Sequence, residues 1–498
     1  MRVTMLILMA AITAAAQTPV RSCESLTSVI LPNTTIEAAA LQPAANGRPE
    51  FCHVTAVLTH PPAGDRIHVW IGLPTNGWNG RFEGVGGGGF SGGSPNGLNG
   101  AVAQGYAGGS TDTGHEGASG SFALDSTGHL NWLLIRDNAY LGIHEMTLTG
   151  KALVEAFYGH GPQHSYFNGC STGGRQGLSE AQRYPADYDG ILSGAPAINW
   201  TRLHVEQMWG HVVMAQLKNV VPQCKFAAAQ AAAVSACDAA DGVTDGVIEN
   251  PRACAFDPKE LIGKSTPCGD FSELDAEVIR RIWQGPRRQD GSFLWYGLQR
   301  GGDFSAMSAT GGTPLTSRPN PITMEWWRFF LNQNPQWDWS VLTPALYEQY
   351  WDQSVEEFSA VLATDNPDLS GFRDRNGKIV LWHGWSDQLI YPEGTIDYYQ
   401  RVQRQMGGAE ATAKFARLFL APGVGHCGGG PGPAPDGQFD AVVRWVEQGQ
   451  APETLKAVRR GQGGAVVRTR PLCQFPEVAK YKGSGSTDDV ANFVCAAQ

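Results

Sequence analysis

Charge is scarce in this chain: Asp, Glu, Lys and Arg make up 17% of its 498 residues, against about a quarter in an average soluble protein. There is no block of clustered Lys and Arg, and the net charge is −10, which argues against a nucleic-acid partner. No Cys-x-x-Cys pair occurs, so zinc-ribbon and thioredoxin-like chemistry are not expected. No apolar run reaches the roughly 20 residues of a membrane span, so no membrane partner is expected. What is present is an apolar fraction of 42%, with 62 Gly, 30 Pro, 15 Trp and 10 Cys. That composition is globular, not disordered. The length exceeds the roughly 250–300 residues that one core supports, so a large domain with a second domain or a big insertion is expected.

Residues Met1–Ala16, MRVTMLILMAAITAAA, combine an early cation (Arg2), a short apolar stretch and small residues before Gln17. This is the layout of a secretory signal peptide, and it implies a secreted or periplasmic mature chain. In an oxidising compartment the ten cysteines read as disulfides. Locality suggests Cys23–Cys52, Cys237–Cys254 and Cys473–Cys495. Cys170 and Cys427 are then a long-range candidate, with Cys224 and Cys268 as the remainder.

Strand-like runs occur at RIHVWIGL (Arg66–Leu73), HSYFNG (His164–Gly169), GILSG (Gly190–Gly194), KIVLW (Lys378–Trp382) and ARLFL (Ala416–Leu420). Helical spacing occurs over Ala139–Tyr158, Arg175–Tyr184 and Phe439–Gln448. The alternation predicts an α/β fold with a parallel sheet. Between residues 199 and 374 strand signals thin out, helical patches appear (Val205–Leu217, Phe226–Ala236, Leu274–Trp283, Tyr347–Val361), and the stretch reads as an inserted domain.

Gly169-Cys170-Ser171-Thr172-Gly173 matches GxSxG between a predicted strand and a predicted helix, the context that a nucleophile elbow requires. A sharp strand-to-helix turn admits only small neighbours and exposes the hydroxyl above the sheet. A serine nucleophile needs a base and an orienting acid. Asp387, just past KIVLW, and His426, in the glycine-rich stretch after ARLFL, follow in the order Ser, Asp, His. Both fall at strand C-termini, where α/β sites gather. His383 precedes Asp387 and is read as lining the site rather than as the base. If Ser171 and His426 meet, Cys170 and Cys427 come within disulfide reach.

GVGGGGFSGG (Gly84–Gly93) contains a GxGxxG match, but no Gly-Lys-Ser/Thr follows. Close backbone approach to an oxyanion explains the glycines better than phosphate binding. Asp238, Asp241 and Asp245 stand around Gly242 and Gly246. By itself that pattern is either an acidic turn or a cation loop. It is not an EF-hand.

GCSTGGR, HGWSD and GHC together resemble the tannase and feruloyl esterase family, which includes the hydrolase of mono(2-hydroxyethyl) terephthalate. The resemblance runs from WNGRF (Trp78–Phe82) to RTRPLC (Arg468–Cys473) and YKGSGS (Tyr481–Ser486). It implies an α/β-hydrolase core (residues 17–198 and 375–498) with a large lid inserted at 199–374. It implies Ser171 as nucleophile, His426 as base and Asp387 as acid, with the Cys170–Cys427 bridge beside them. The oxyanion donors carry over as the backbone N–H groups of Gly89 and Thr172. A structural calcium ion carries over with the Asp238, Asp241 and Asp245 side chains and the Val243 and Val247 carbonyls as ligands. His383, Trp327 and Ile390 are the substrate-facing candidates. The terephthalate enzyme's lid Arg aligns near Trp327, with Arg328 adjacent. The implied activity is therefore a secreted serine esterase of small aromatic esters, feruloyl or galloyl in type. Terephthalate-ester hydrolysis or a serine peptidase on the same fold is the alternative. The sequence leaves the oligomeric state open.

Overall fold

The computed structural model describes residues 17–45 and 47–497. The expected signal segment, 1–16, lies outside them. Apolar runs bounded by glycine and turn residues form a nine-stranded sheet. Its first seven strands are β1 (Thr34–Gln42), β2 (Phe51–Leu58), β3 (Ile67–Pro74), β4 (Arg81–Val85), β5 (Ala107–Thr111), β6 (His164–Cys170) and β7 (Gly190–Gly194). Two-residue strands β8 (Thr310–Gly311) and β9 (Thr316–Ser317) pair only with each other, and the large sheet resumes with β10 (Lys378–Gly384) and β11 (Ala416–Ala421).

The spatial order is β1-β2-β3-β5-β4-β6-β7-β10-β11. From β5 to β11 the neighbours are parallel, whereas β1, β2, β3 and β5 pair antiparallel. The expectation of a parallel sheet is thus corrected to a mixed one. Strands β7, β10 and β11, expected from apolar runs, are buried on both faces, as parallel strands are. In β1 (TTIEAAALQ) only Ile36 and Ala39 are buried, so it carries no such run.

Helices cover both faces. On one, Ile143, Met146, Leu153 and Phe157 of the helix Gly142–Tyr158 pack against Val69, Ile71 and Phe82. On the other, Phe439, Val442 and Trp445 of the helix Gln438–Gln448, three residues apart, pack against Val380, Trp382 and Phe419. Small sheets close the C-terminus: β12 (Ala434–Asp436), β13 (Thr454–Arg460) and β14 (Val466–Cys473), then β15 (Val478–Tyr481) with β16 (Phe493–Ala496).

Between β7 and β10 the chain adds no strand to the large sheet. It is mainly helical, and Trp209, Phe226, Ile279, Trp326, Trp327 and Phe358 share one buried cluster. Phe90, Ala139 and Ile390, from outside that stretch, join the same cluster, so the helical layer is packed onto the sheet's loops. The helix expected over Val205–Leu217 is two helices, Trp200–Glu206 and Trp209–Gln216.

Candidate active site

Strand β6 ends at Cys170, and the helix Thr172–Arg183 starts two residues later. Ser171 turns the corner with φ 63° and ψ −122°, a conformation that costs a non-glycine residue energy. Its amide donates to the Gly194 carbonyl (2.9 Å), and its carbonyl accepts from Arg175 N–H (3.0 Å). The glycines around it are obligatory. A Cβ on Gly169 or on Gly86 would stand 2.4 Å from backbone atoms of Gly173.

The glycine-rich loop is stitched to the nucleophile helix. Gly173 N–H donates to the Gly87 carbonyl (3.0 Å), and Thr172 Oγ1 donates to the Gly89 carbonyl (2.6 Å). Gln176 holds the loop from both sides, accepting from Gly87 N–H and donating to the Gly92 carbonyl, each at 3.0 Å. Sequence reasoning missed this glutamine, one helical turn past the motif. The amides of Gly89 and Thr172 donate to no protein acceptor among the described residues.

Asp387 sits in the turn after β10 and is 1% exposed. Its Oδ1 accepts from the amides of Leu389 and Ile390, both at 2.9 Å. Its Oδ2 faces His426 Nδ1 at 2.9 Å and His383 Nε2 at 3.0 Å. Burial pushes this carboxyl up, but the hydrogen bonds from His383 and His426 outweigh it and hold the group well below the usual carboxylate range. Asp387 is therefore ionised, and His426 Nδ1 carries the hydrogen that points at it. The His426 amide donates to Gln388 Oε1 (3.2 Å).

Ser171 and His426 line one cavity of about 400 Å³, together with Gly89 and Thr172. No hydrogen bond joins Ser171 Oγ to the imidazole among the described residues; in a free enzyme that contact is often long. The far walls are Trp200, Leu203, Met307, Ile322, Leu389 and Ile390. Of these, only Ile390 was singled out from sequence. Among the described residues no Lys, Arg, Asp or Glu lines the cavity. His204 does, and burial holds its pKa down to about 3, so it is neutral. Roomier clefts of about 770 and 730 Å³ lie elsewhere, but neither carries a nucleophile and base.

Two expected substrate contacts are corrected. His383 is fully buried behind Asp387, hydrogen-bonded on both ring nitrogens, and does not reach the cavity. Trp327 is fully buried too. It stacks on Trp337 at 5.3 Å and donates from its indole N–H to the His204 carbonyl (3.1 Å), so it belongs to the helical layer's core.

All ten cysteines are paired: Cys23–Cys52, Cys170–Cys427, Cys224–Cys268, Cys237–Cys254 and Cys473–Cys495. The long-range pair joins the residue before Ser171 to the residue after His426, with Cα atoms 5.9 Å apart.

In the acidic loop, Asp238 accepts from the amides of Asp245, Gly246 and Val247 at 3.0, 2.9 and 3.3 Å. Asp241 accepts from Val243 N–H (2.9 Å), and Asp245 pairs with Arg468 (3.0 Å) and Arg470 (2.8 Å). The donor set fits a hard divalent cation: oxygen only, from three carboxylates and the nearby carbonyls. The three carboxylates do not converge within 4.8 Å of one another. Among the described residues only His144, Glu180 and Asp187 do so, and there His144 Nδ1 already meets the Asp187 carboxylate at 2.6 Å.

Residues 52–496 match the family model described as tannase and feruloyl esterase. A probable feruloyl esterase of Arthroderma benhamiae is 39% identical over 488 residues, covering 94% of this chain and 90% of that protein. The mono(2-hydroxyethyl) terephthalate hydrolase of Piscinibacter sakaiensis is 32% identical, covering 96% and 92%. Among solved structures, the tannin acyl hydrolase of Aspergillus niger superposes with a TM-score of 0.86 at 26% identity, covering 95% and 93%.

Proposed function

The chain belongs to the tannase and feruloyl esterase family, and from that premise we propose that it hydrolyses small aromatic carboxylic esters through an acyl-enzyme on Ser171. It is a carboxylic ester hydrolase. The observation that carries the mechanism is the Asp387–His426 pair, 2.9 Å apart, whose His426 lines the same cavity as Ser171.

His426 Nε2 takes the Ser171 proton as Oγ attacks the ester carbonyl. Asp387 keeps the imidazole in the tautomer with hydrogen on Nδ1 and stabilises the imidazolium. The amides of Gly89 and Thr172 receive the oxyanion, helped by the N-terminus of the helix that starts at Thr172. His426 then protonates the departing alcohol, and water, deprotonated by the same imidazole, releases the acid.

The cavity's composition supports a neutral acyl group of feruloyl or galloyl type. Its walls are mostly apolar and carry no cation, so a substrate's free carboxylate has no partner there. Arg328 is directed elsewhere, donating from Nε to the Trp337 carbonyl (3.3 Å), which disfavours the terephthalate-ester reading. Residues 199–374 act as the lid that supplies the walls Trp200, Leu203, Met307 and Ile322. Five disulfides suit an extracellular or periplasmic protein. Calcium is the structural ion proposed for the acidic loop, on donor chemistry alone, with no part in the reaction.

The test is turnover of methyl ferulate, methyl gallate and mono(2-hydroxyethyl) terephthalate by wild type and Ser171→Ala, with mass spectrometry for the acylated serine. Full activity in Ser171→Ala sinks the mechanism. A kcat/KM highest for the terephthalate ester sinks the substrate assignment.

A further inference from the structure

We propose that His383 is a positioning residue, a fourth member of the Ser171–His426–Asp387 relay that fixes the acid from behind. The proposal rests on the triad reading above.

His383 Nε2 lies 3.0 Å from Asp387 Oδ2 and 2.8 Å from the Ile390 carbonyl oxygen. Asp387 is ionised, so both neighbours are acceptors and Nε2 carries a hydrogen. His383 Nδ1 lies 2.9 Å from Thr395 Oγ1. In the neutral ring this nitrogen is bare and the threonine hydroxyl donates to it. The network thus assigns the tautomer. Every partner is interior: His383, Asp387 and Thr395 are 0%, 1% and 2% exposed.

Two effects follow. The first is geometric. Asp387 accepts four hydrogen bonds, two backbone amides at Oδ1 and two imidazoles at Oδ2. The shared Nε2–H also ties the 387–390 turn back to β10, so Oδ2 has one direction left, toward His426. The second is electrostatic. A donor at Oδ2 spreads the carboxylate's charge and weakens its hold on the His426 Nδ1 hydrogen. Asp387 forms ion pairs only with these two histidines among the described residues. The remaining titratable neighbours are Tyr391 and the buried Glu206 beside it.

The experiment compares full-length wild type, His383→Leu, His383→Gln and Thr395→Val for kcat and KM on methyl ferulate across pH, with melting temperatures. In His383→Leu, kcat falls at least about tenfold, the size usual for losing an outer-layer partner, with KM nearly unchanged. The acidic limb of kcat/KM moves to higher pH, because the full carboxylate charge now faces the imidazolium. His383→Gln keeps a donor toward Asp387 and recovers most of both effects. Thr395→Val moves both in the same direction by less. The proposal is overturned if Leu leaves kcat and the limb unchanged, or if Gln is as impaired as Leu. If the Leu variant does not fold, an unmoved limb in Thr395→Val together with wild-type kcat overturns it. Ser171→Ala and His426→Ala run alongside: turnover surviving in either removes the triad reading, and this proposal with it, whereas their inactivity beside an unaffected His383→Leu isolates the failure here.

Discussion

Cys170 and Cys427 are 257 positions apart in the chain and are bonded to each other beside Ser171 and His426. The covalent link holds two loops from different strands at one spacing. Replacing both cysteines with alanine is expected to lower stability by about 2–4 kcal/mol and to lower kcat by more than the loss of folded protein explains. Thermal melting and active-site titration separate the two. A full kcat per folded molecule would leave the bond a purely structural role.

Asp387→Asn keeps the shape of the turn but reverses the preference at Oδ2. The amide group no longer favours hydrogen on His426 Nδ1, so kcat is expected to fall by about 10³–10⁴ with little change in KM. Melting should change modestly. A loss under tenfold would show that Asp387 does not set the tautomer.

The cavity's lack of a cation is testable by adding one. Ile322 is exposed at the cavity rim, its Cδ1 near Gly89. Ile322→Arg is expected to raise kcat/KM for an ester with a free acyl carboxylate relative to its neutral methyl-ester counterpart by up to about fivefold, the worth of one exposed charge pair near its upper limit. An unchanged ratio places the acyl group elsewhere.

How much of this could be read in advance follows from what sequence encodes. The nucleophile turn was legible because GxSxG is a steric requirement, and Asp387 and His426 were legible because strand ends position them. Strands β7, β10 and β11 showed as apolar runs, while parallel β4, which carries Glu83 in its middle, antiparallel β1, a largely exposed edge, and the short C-terminal strands carried too little pattern. His383 and Trp327 were misplaced for one reason: chemical type is visible in a sequence, but the direction a buried ring faces is not. The walls Trp200, Leu203, Met307 and Ile322 come from a stretch whose tertiary packing alone brings them to the serine.

Glu83, on β4, is 2% exposed; Asn168 Nδ2 donates to its Oε1 (3.1 Å), and Oε2 has no partner among the described residues. Burial raises its pKa from 4.5 to about 7, against the smaller opposing effect of Asn168. The folded state therefore binds this proton more tightly than the unfolded state. The stabilisation is complete below pH 4.5 and is lost as pH rises through about 7. Glu83→Gln should remove that slope, worth roughly 3 kcal/mol across the window. Denaturant unfolding at pH 4.5 and 8 checks it: the variant gains on wild type at the higher pH.

For the acidic loop, a chelator is expected to lower the melting temperature by about 1–2 °C, the shift that about 1–2 kcal/mol produces in a protein of this size. Added calcium should restore it, and Asp241→Asn should abolish the response. The kcat of the folded fraction stays the same. A chelator-insensitive melt would leave Arg468 and Arg470 as the sole counter-charges of Asp245.

The cavity draws its two halves from separate parts of the chain, with unequal freedom to vary. Gly86, Gly169 and Gly173 meet backbone to backbone, where a methyl group on Gly86 or Gly169 would stand 2.4 Å from Gly173. That half can only be inherited intact. The apolar half is built of ordinary side chains on helices and loops outside the large sheet, where one hydrophobic residue replaces another at small cost. Descendants of this gene could therefore diverge in the acids they release while keeping one unaltered catalytic apparatus.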